Sequence, residues 1–128
     1  MAKPTKGSIL IIEDDLVLTR MYQKKFEFDG FQVFLGFGGQ EGLKLAQEKQ
    51  PNIILLDIMM PEMDGFEVLK RLKKDSTTSA IPVIILTNLG TSQVLIDEAL
   101  RLGAKDYLIK SKTSSAEVVK KVEVNISS

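Results

Sequence analysis

Residues 53–65 read IILLDIMMPEMDG, four consecutive aliphatic side chains followed at once by the carboxylate of Asp57. An unbroken apolar run of this length is what a strand of a parallel sheet shows, because helices cover both of its faces; a strand with one wet face alternates. Two further runs have the same character, ILII at 9–12 and VIIL at 83–86, and two are weaker, QVFL at 32–35 and DYLI at 106–109. Segments of helical period lie after each run. Leu18, Met21, Tyr22 and Phe26 mark the first, Leu43 and Ala46 the second, and Phe66, Leu69 and Leu72 the third. Leu95, Ile96, Ala99 and Leu100 mark the fourth, and Val118, Val119, Val122 and Ile126 the fifth.

Punctuation agrees with these limits. Gly30 and Gly103 end helices, Pro51 and Pro82 sit just before strands, and Ser114 or Ser115 caps the last helix. Five alternations of strand and helix imply an α/β fold, a doubly wound five-stranded parallel sheet joined by right-handed crossovers. With 128 residues and 44% hydrophobic content the chain reads as one domain over 1–128, with an N-terminal tail at 1–7 and a C-terminal end that frays over 124–128. Lys plus Arg and Asp plus Glu each number 17, so no general attraction to nucleic acid or anionic lipid is expected. The absence of cysteine and histidine excludes disulfides, thiolate chemistry, Cys/His zinc sites and any imidazole base. No apolar stretch approaches the span of a bilayer, and MAKPTKGS lacks a signal-peptide core, so a cytoplasmic location without membrane insertion is expected. The sequon Asn125-Ile126-Ser127 is then a chance match.

Parallel strands deliver their C-terminal ends to one edge of the sheet, the edge where open α/β sheets bind ligands. The residues after the runs therefore meet: Glu13 and Asp14, Asp57, Thr87 and Lys110. Three clustered carboxylates resist ionising together unless a cation sits among them, and Mg²⁺ is the hard cation that suits oxygen donors together with a phosphate. Lys110 is then a point-charge partner for that phosphate, Thr87 a hydroxyl donor to it, and Asp57 a nucleophile placed to attack phosphorus.

ILIIEDD, LLDIMMPEMDG, PVIILTN and GAKDYLIK together resemble the receiver domain of bacterial two-component response regulators, in order and over nearly the whole chain. The motif D-x-x-M-P-x-M-D-G at 57–65 is the most specific part. The resemblance implies a flavodoxin-like (βα)5 fold, chemotaxis-regulator-like, in which Asp57 accepts a phosphoryl group from the phosphohistidine of a sensor histidine kinase or a histidine phosphotransfer protein. It implies Mg²⁺ held by Asp14, Asp57 and the backbone carbonyl of Met59, with Glu13 acting through water. Lys110 pairs with the carboxylate and then with the phosphoryl group, Thr87 turns inward to a phosphoryl oxygen, and Tyr107 follows it from an exposed to an inward rotamer. The surface of helix 4, strand 5 and helix 5 then changes and signals to an output protein, with no direct nucleic-acid contact by this chain. Such a chain catalyses its own phosphorylation and slow dephosphorylation rather than acting as an enzyme in the usual sense.

Two departures from the family pattern stand out. Ser111 replaces the proline that commonly follows the lysine, so a cis peptide is not expected there. Asn88 is bulkier than the usual residue after the threonine and is expected to narrow access to the phosphoryl site. A phosphorelay intermediate that passes phosphate to a histidine phosphotransfer protein is the alternative within the family, and a receiver excised from a longer chain fits as well. Outside it, Gly36, Gly38 and Gly42 mimic a nucleotide-binding glycine pattern in an α/β domain, but the spacing misses G-x-G-x-x-G. An aspartate-based phosphohydrolase would carry a second acid where Met59 stands. Taken singly, each residue has a plainer reading: Asp57 as a turn or cap, Glu13 and Asp14 as helix N-terminal charges, Thr87 as a structural hydroxyl, Lys110 as a solvated lysine, and the methionines as packing.

Overall fold

A computed structural model describes residues 6–90 and 92–126. The elements alternate: β1 (Ser8–Ile12), α1 (Leu16–Phe28), β2 (Gln32–Gly36), α2 (Gly39–Lys49), β3 (Ile53–Leu56), α3 (Gly65–Lys74), β4 (Val83–Thr87), α4 (Gln93–Arg101), β5 (Asp106–Ile109) and α5 (Ser115–Asn125). All pairings are parallel and the strand order is β2-β1-β3-β4-β5. β1 and β3 are neighbours, yet their connections leave in opposite directions along the sheet, which opens a crevice beyond their C-terminal ends.

The continuous apolar runs are buried on both faces. Ile9, Ile11, Ile53, Leu55, Ile84 and Leu86 pack against Tyr22 and Phe26 of α1 and Val118, Val119 and Val122 of α5. Their alternates Leu10, Ile12, Ile54, Leu56, Val83 and Ile85 pack against Ala46 of α2, Leu69 and Leu72 of α3 and Ala99 of α4. Each such side chain, taken fully out of water, contributes on the order of 1.5–3 kcal/mol before the entropy of ordering it. The edge strand β2 is only partly covered, which is why its run is the more polar.

Caps fix where the helices begin. Asp15 accepts the Leu18 N–H ahead of α1, and Asp64 accepts the Glu67 N–H ahead of α3. Ser114 and Glu117 form a reciprocal capping box at α5, so Ser114 rather than Ser115 is the cap. The end expected to fray over 124–128 is helical at Val124 and Asn125, whose side chain donates to the Lys121 carbonyl. Ile126 packs on the core; 127–128, with the last residue of the sequon, lie outside the described residues, as do 1–5 of the expected tail.

The glycine pattern at 36–42 has a packing cause. A Cβ on Gly36 would meet the Gly42 Cα at 2.8 Å, and one on Gly42 would meet Ile12 side-chain atoms at 2.6–2.8 Å. Small residues at 36 and 42 let α2 lie directly on β1 and β2. No helix among the described residues is long and apolar enough to cross a membrane.

Candidate functional site

β3 ends at Leu56, and Asp57 follows it onto the sheet edge with its N–H still bonded to the Ile12 carbonyl, 3.0 Å. The loop after it folds back tightly: Gly65 N–H donates to the Ile58 carbonyl at 3.0 Å. A Cβ at Gly65 would stand 2.2 Å from the Asp57 carbonyl oxygen, so only glycine lets α3 start beneath Asp57. That is the steric reason for the terminal glycine of the Met-Pro-Glu-Met-Asp-Gly loop. Glu62 within this loop holds φ of 65°, a conformation that costs a non-glycine residue energy.

Glu13, Asp14 and Asp57 each place a carboxylate oxygen within 4.8 Å of the others. Glu13 and Asp57 are buried, whereas Asp14 is exposed at the mouth. Lys110, at the end of β5, reaches into the group. Its Nζ donates to Asp57 Oδ2 at 3.2 Å and makes a close ion pair with Glu13 Oε1. Glu13 Oε2 accepts the N–H groups of Asp14 and Asp15, 2.9 and 3.2 Å, and so shapes the turn into α1. The Met59 N–H donates to Asp57 Oδ1 at 3.2 Å, which brings the Met59 backbone to the same carboxylate, while its side chain is exposed.

Burial pushes the Glu13 carboxyl up to about 7; the Lys110 hydrogen bond opposes this, and the charge of Asp57 adds to it. Burial works against the Lys110 ammonium, but its bond to Glu13 and the charges of Asp57 and Glu13 outweigh that and hold its pKa above the ordinary lysine value. Three carboxylates thus stand against one lysine at this site, an excess of negative charge that a further cation would offset. Three oxygen donors around a mouth suit a hard divalent ion, and the donor set fits Mg²⁺.

Thr87 closes β4 fully buried, and its Oγ1 accepts the Leu89 N–H at 3.2 Å. Tyr107 is half-buried and donates its hydroxyl to the Gly90 carbonyl, 3.1 Å, tying β5 to the β4–α4 loop. Burial, and then the charge on Asp57, raise the Tyr107 pKa, so the ring lies within electrostatic reach of the site. Peptide bonds among the described residues are all trans, including that before Ser111. Asn88 and Ser111, noted in the sequence as separate departures, are joined: the Ser111 N–H donates to Asn88 Oδ1 at 3.0 Å. The Lys110–Glu13 pair spans 97 residues, and nothing in sequence spacing points to it.

A family model described as the response regulator receiver domain matches residues 9–123. Over 102 residues the chain is 42% identical to the DNA-binding dual master transcriptional regulator RpaA of Synechocystis, covering 80% of this chain and 42% of that protein. It is 41% identical to the uncharacterized transcriptional regulatory protein YkoG of Bacillus subtilis, over 82% of this chain and 45% of that protein. The chain thus spans less than half the length of these curated relatives. The receiver domain of the Francisella response regulator 1452 superposes with a TM-score of 0.84 at 34% identity, covering 92% of this chain and 94% of that one. The Vibrio cholerae chemotaxis protein CheY4 superposes with a TM-score of 0.87 at 26% identity, covering 94% and 98%.

Proposed function

We propose a mechanism from the premise that the chain belongs to the response regulator receiver domain family, a family of phosphoacceptors, and that residues 1–128 act as a single such domain. One observation carries the assignment of roles: the Asp57 carboxylate, buried at the end of β3, sits 3.2 Å from the Lys110 ammonium with Glu13 and Asp14 oxygens beside it. Asp57 is the phosphoryl acceptor. One of its oxygens attacks phosphorus of a phosphohistidine on a sensor histidine kinase or a histidine phosphotransfer protein; the new O–P bond forms as the N–P bond breaks, and the imidazole leaves with the electron pair. Asp14, Asp57 and the Met59 carbonyl would hold Mg²⁺, with Glu13 acting through water, and the ion would neutralise charge on the phosphoryl oxygens.

The chain's own groups do the rest. Lys110 keeps an ammonium beside Asp57 and moves its bond from Glu13 toward the transferred group, a point charge well suited to phosphate. Thr87 donates its hydroxyl proton to a phosphoryl oxygen. Its loop moves with it, and Tyr107, which holds the Gly90 carbonyl in that loop, follows inward. The added charge favours whichever arrangement satisfies its oxygens, and this shifts the population of the β4–α4 loop.

Output through the α4, β5 and α5 surface to a partner protein or an adjoining segment is the reading favoured by α4 itself. Val94 is 77% exposed and Leu100 45%, apolar side chains on a helix that buries only Ala99 among its described side chains. Incubation with acetyl phosphate, with and without Mg²⁺, followed by intact mass measurement, tests the proposal. A gain of one phosphoryl group that requires Mg²⁺ and vanishes in Asp57→Ala is expected; equal labelling of Asp57→Ala would overturn the choice of acceptor.

A further inference from the structure

The segment that carries Lys110 is a single 3-10 turn, Lys110–Lys112, and the residue at its cap, Ile109, has no side-chain acceptor for the leading N–H groups. An acceptor arrives from the loop that follows the neighbouring strand, β4. Asn88 Oδ1 takes the Ser111 N–H at 3.0 Å across 23 residues of sequence. Asn88 directly follows Thr87 and Ser111 directly follows Lys110, so one hydrogen bond joins the loop of one phosphoryl-binding group to the turn of the other. The bond exists because residue 111 has an N–H, which a proline would lack. Tyr107 also ties into the β4–α4 loop, at Gly90, but from within β5 and without touching this turn.

We propose that Asn88 is a positioning residue for phosphoryl transfer: its carboxamide caps the turn after β5 from across the sheet edge and thereby holds Lys110 over Asp57 and Glu13. A proline at 111 would stiffen the turn locally, whatever the neighbouring loop does. The Asn88 bond makes the support of Lys110 depend on the Thr87 loop, so a displacement of that loop is transmitted to the lysine. The bulk of Asn88 at this position thus has a cause other than shielding the acceptor.

The kinetic arm of the test rests on the acceptor role proposed for Asp57; a second arm does not. Wild type, Asn88→Ala, Ser111→Pro and the double variant are compared for Mg²⁺-dependent acceptance from acetyl phosphate, with thermal midpoints measured alongside. Asn88→Ala is expected to slow acceptance about threefold to fivefold in the Ser111 chain, the factor for loss of one solvent-accessible hydrogen bond, and to add nothing in the Ser111→Pro chain. Equal slowing in both backgrounds, or none in the Ser111 chain, overturns the proposal. The ¹⁵N resonance of the Lys110 ammonium reports on the unphosphorylated chain. It is expected to move in Asn88→Ala and to move no further when Asn88→Ala is added to Ser111→Pro, in which residue 111 has no N–H to cap. An unmoved resonance in Asn88→Ala overturns the proposal even if the wild type accepts no phosphoryl group, an outcome that would separately remove the acceptor role of Asp57.

Discussion

Raising the pH from 5 to 8 without divalent ions should destabilise this protein, and Glu13 is the reason. Its carboxyl is held near 7 in the fold against an ordinary value of 4.5. A pKa raised on folding contributes stability that is fully present below the unfolded value and is lost as pH climbs through the folded one, because the native state then binds more protons than the unfolded chain. The window is open for inspection because the chain has no histidine. The exposed carboxylates with displaced pKa values, Glu67, Asp75, Glu98 and Glu117, are all lowered, so they titrate below this range. At about 1.4 kcal/mol per pH unit, and with water at the nearby exposed Asp14 weakening the effect, a loss on the order of 2 kcal/mol is expected across this window. Urea unfolding followed by circular dichroism at half-unit pH steps measures it. Glu13→Gln should flatten the profile whatever its absolute stability, and saturating Mg²⁺ should flatten it in the wild type by displacing the proton. A wild-type profile that is level or rising between pH 5 and 7 would refute the reasoning, since Glu13 would then be ionised in the fold throughout.

Three substitutions test the supports of the site. Gly65→Ala puts a Cβ against the Asp57 carbonyl, a backbone atom that cannot yield cheaply, and should cost about 3 kcal/mol or more in urea unfolding. Glu62→Gly relieves the positive φ in the same loop and should raise stability by up to about 1 kcal/mol, with phosphoryl acceptance unchanged. Ser114→Ala removes half of the capping box of α5 and should lower stability by about 1 kcal/mol without altering Mg²⁺ affinity.

The strands were legible because burial on both faces leaves an uninterrupted aliphatic record: 53–56 coincides with β3, and 83–86 lies within β4, which adds only Thr87. Weaker runs marked β2 and β5, the edges, where solvent admits Gln32 and Asp106. Helical stripes were less faithful. Met21 and Leu100, expected on buried faces, are each 45% exposed, since a 3.6-residue period fixes a direction but not how far the neighbouring layer extends. The meeting of Glu13, Asp14, Asp57 and Lys110 at one sheet edge followed from parallel topology, and Thr87 ends the strand between β3 and β5. What lay beyond sequence was the wiring among them. The choice of Glu13 as a Lys110 partner and the meeting of Asn88 with Ser111 depend on side-chain direction at a sheet edge, which no periodicity encodes.

The most direct measurement of the central claim is chemical: phosphorylate the chain, reduce the acyl phosphate with borohydride, and map the product by peptide mass spectrometry. A homoserine at position 57, formed only in samples that received both the donor and Mg²⁺, is the predicted result. Homoserine at Asp14 or elsewhere, or phosphate retained on a hydroxyl side chain with Asp57 intact, would contradict it.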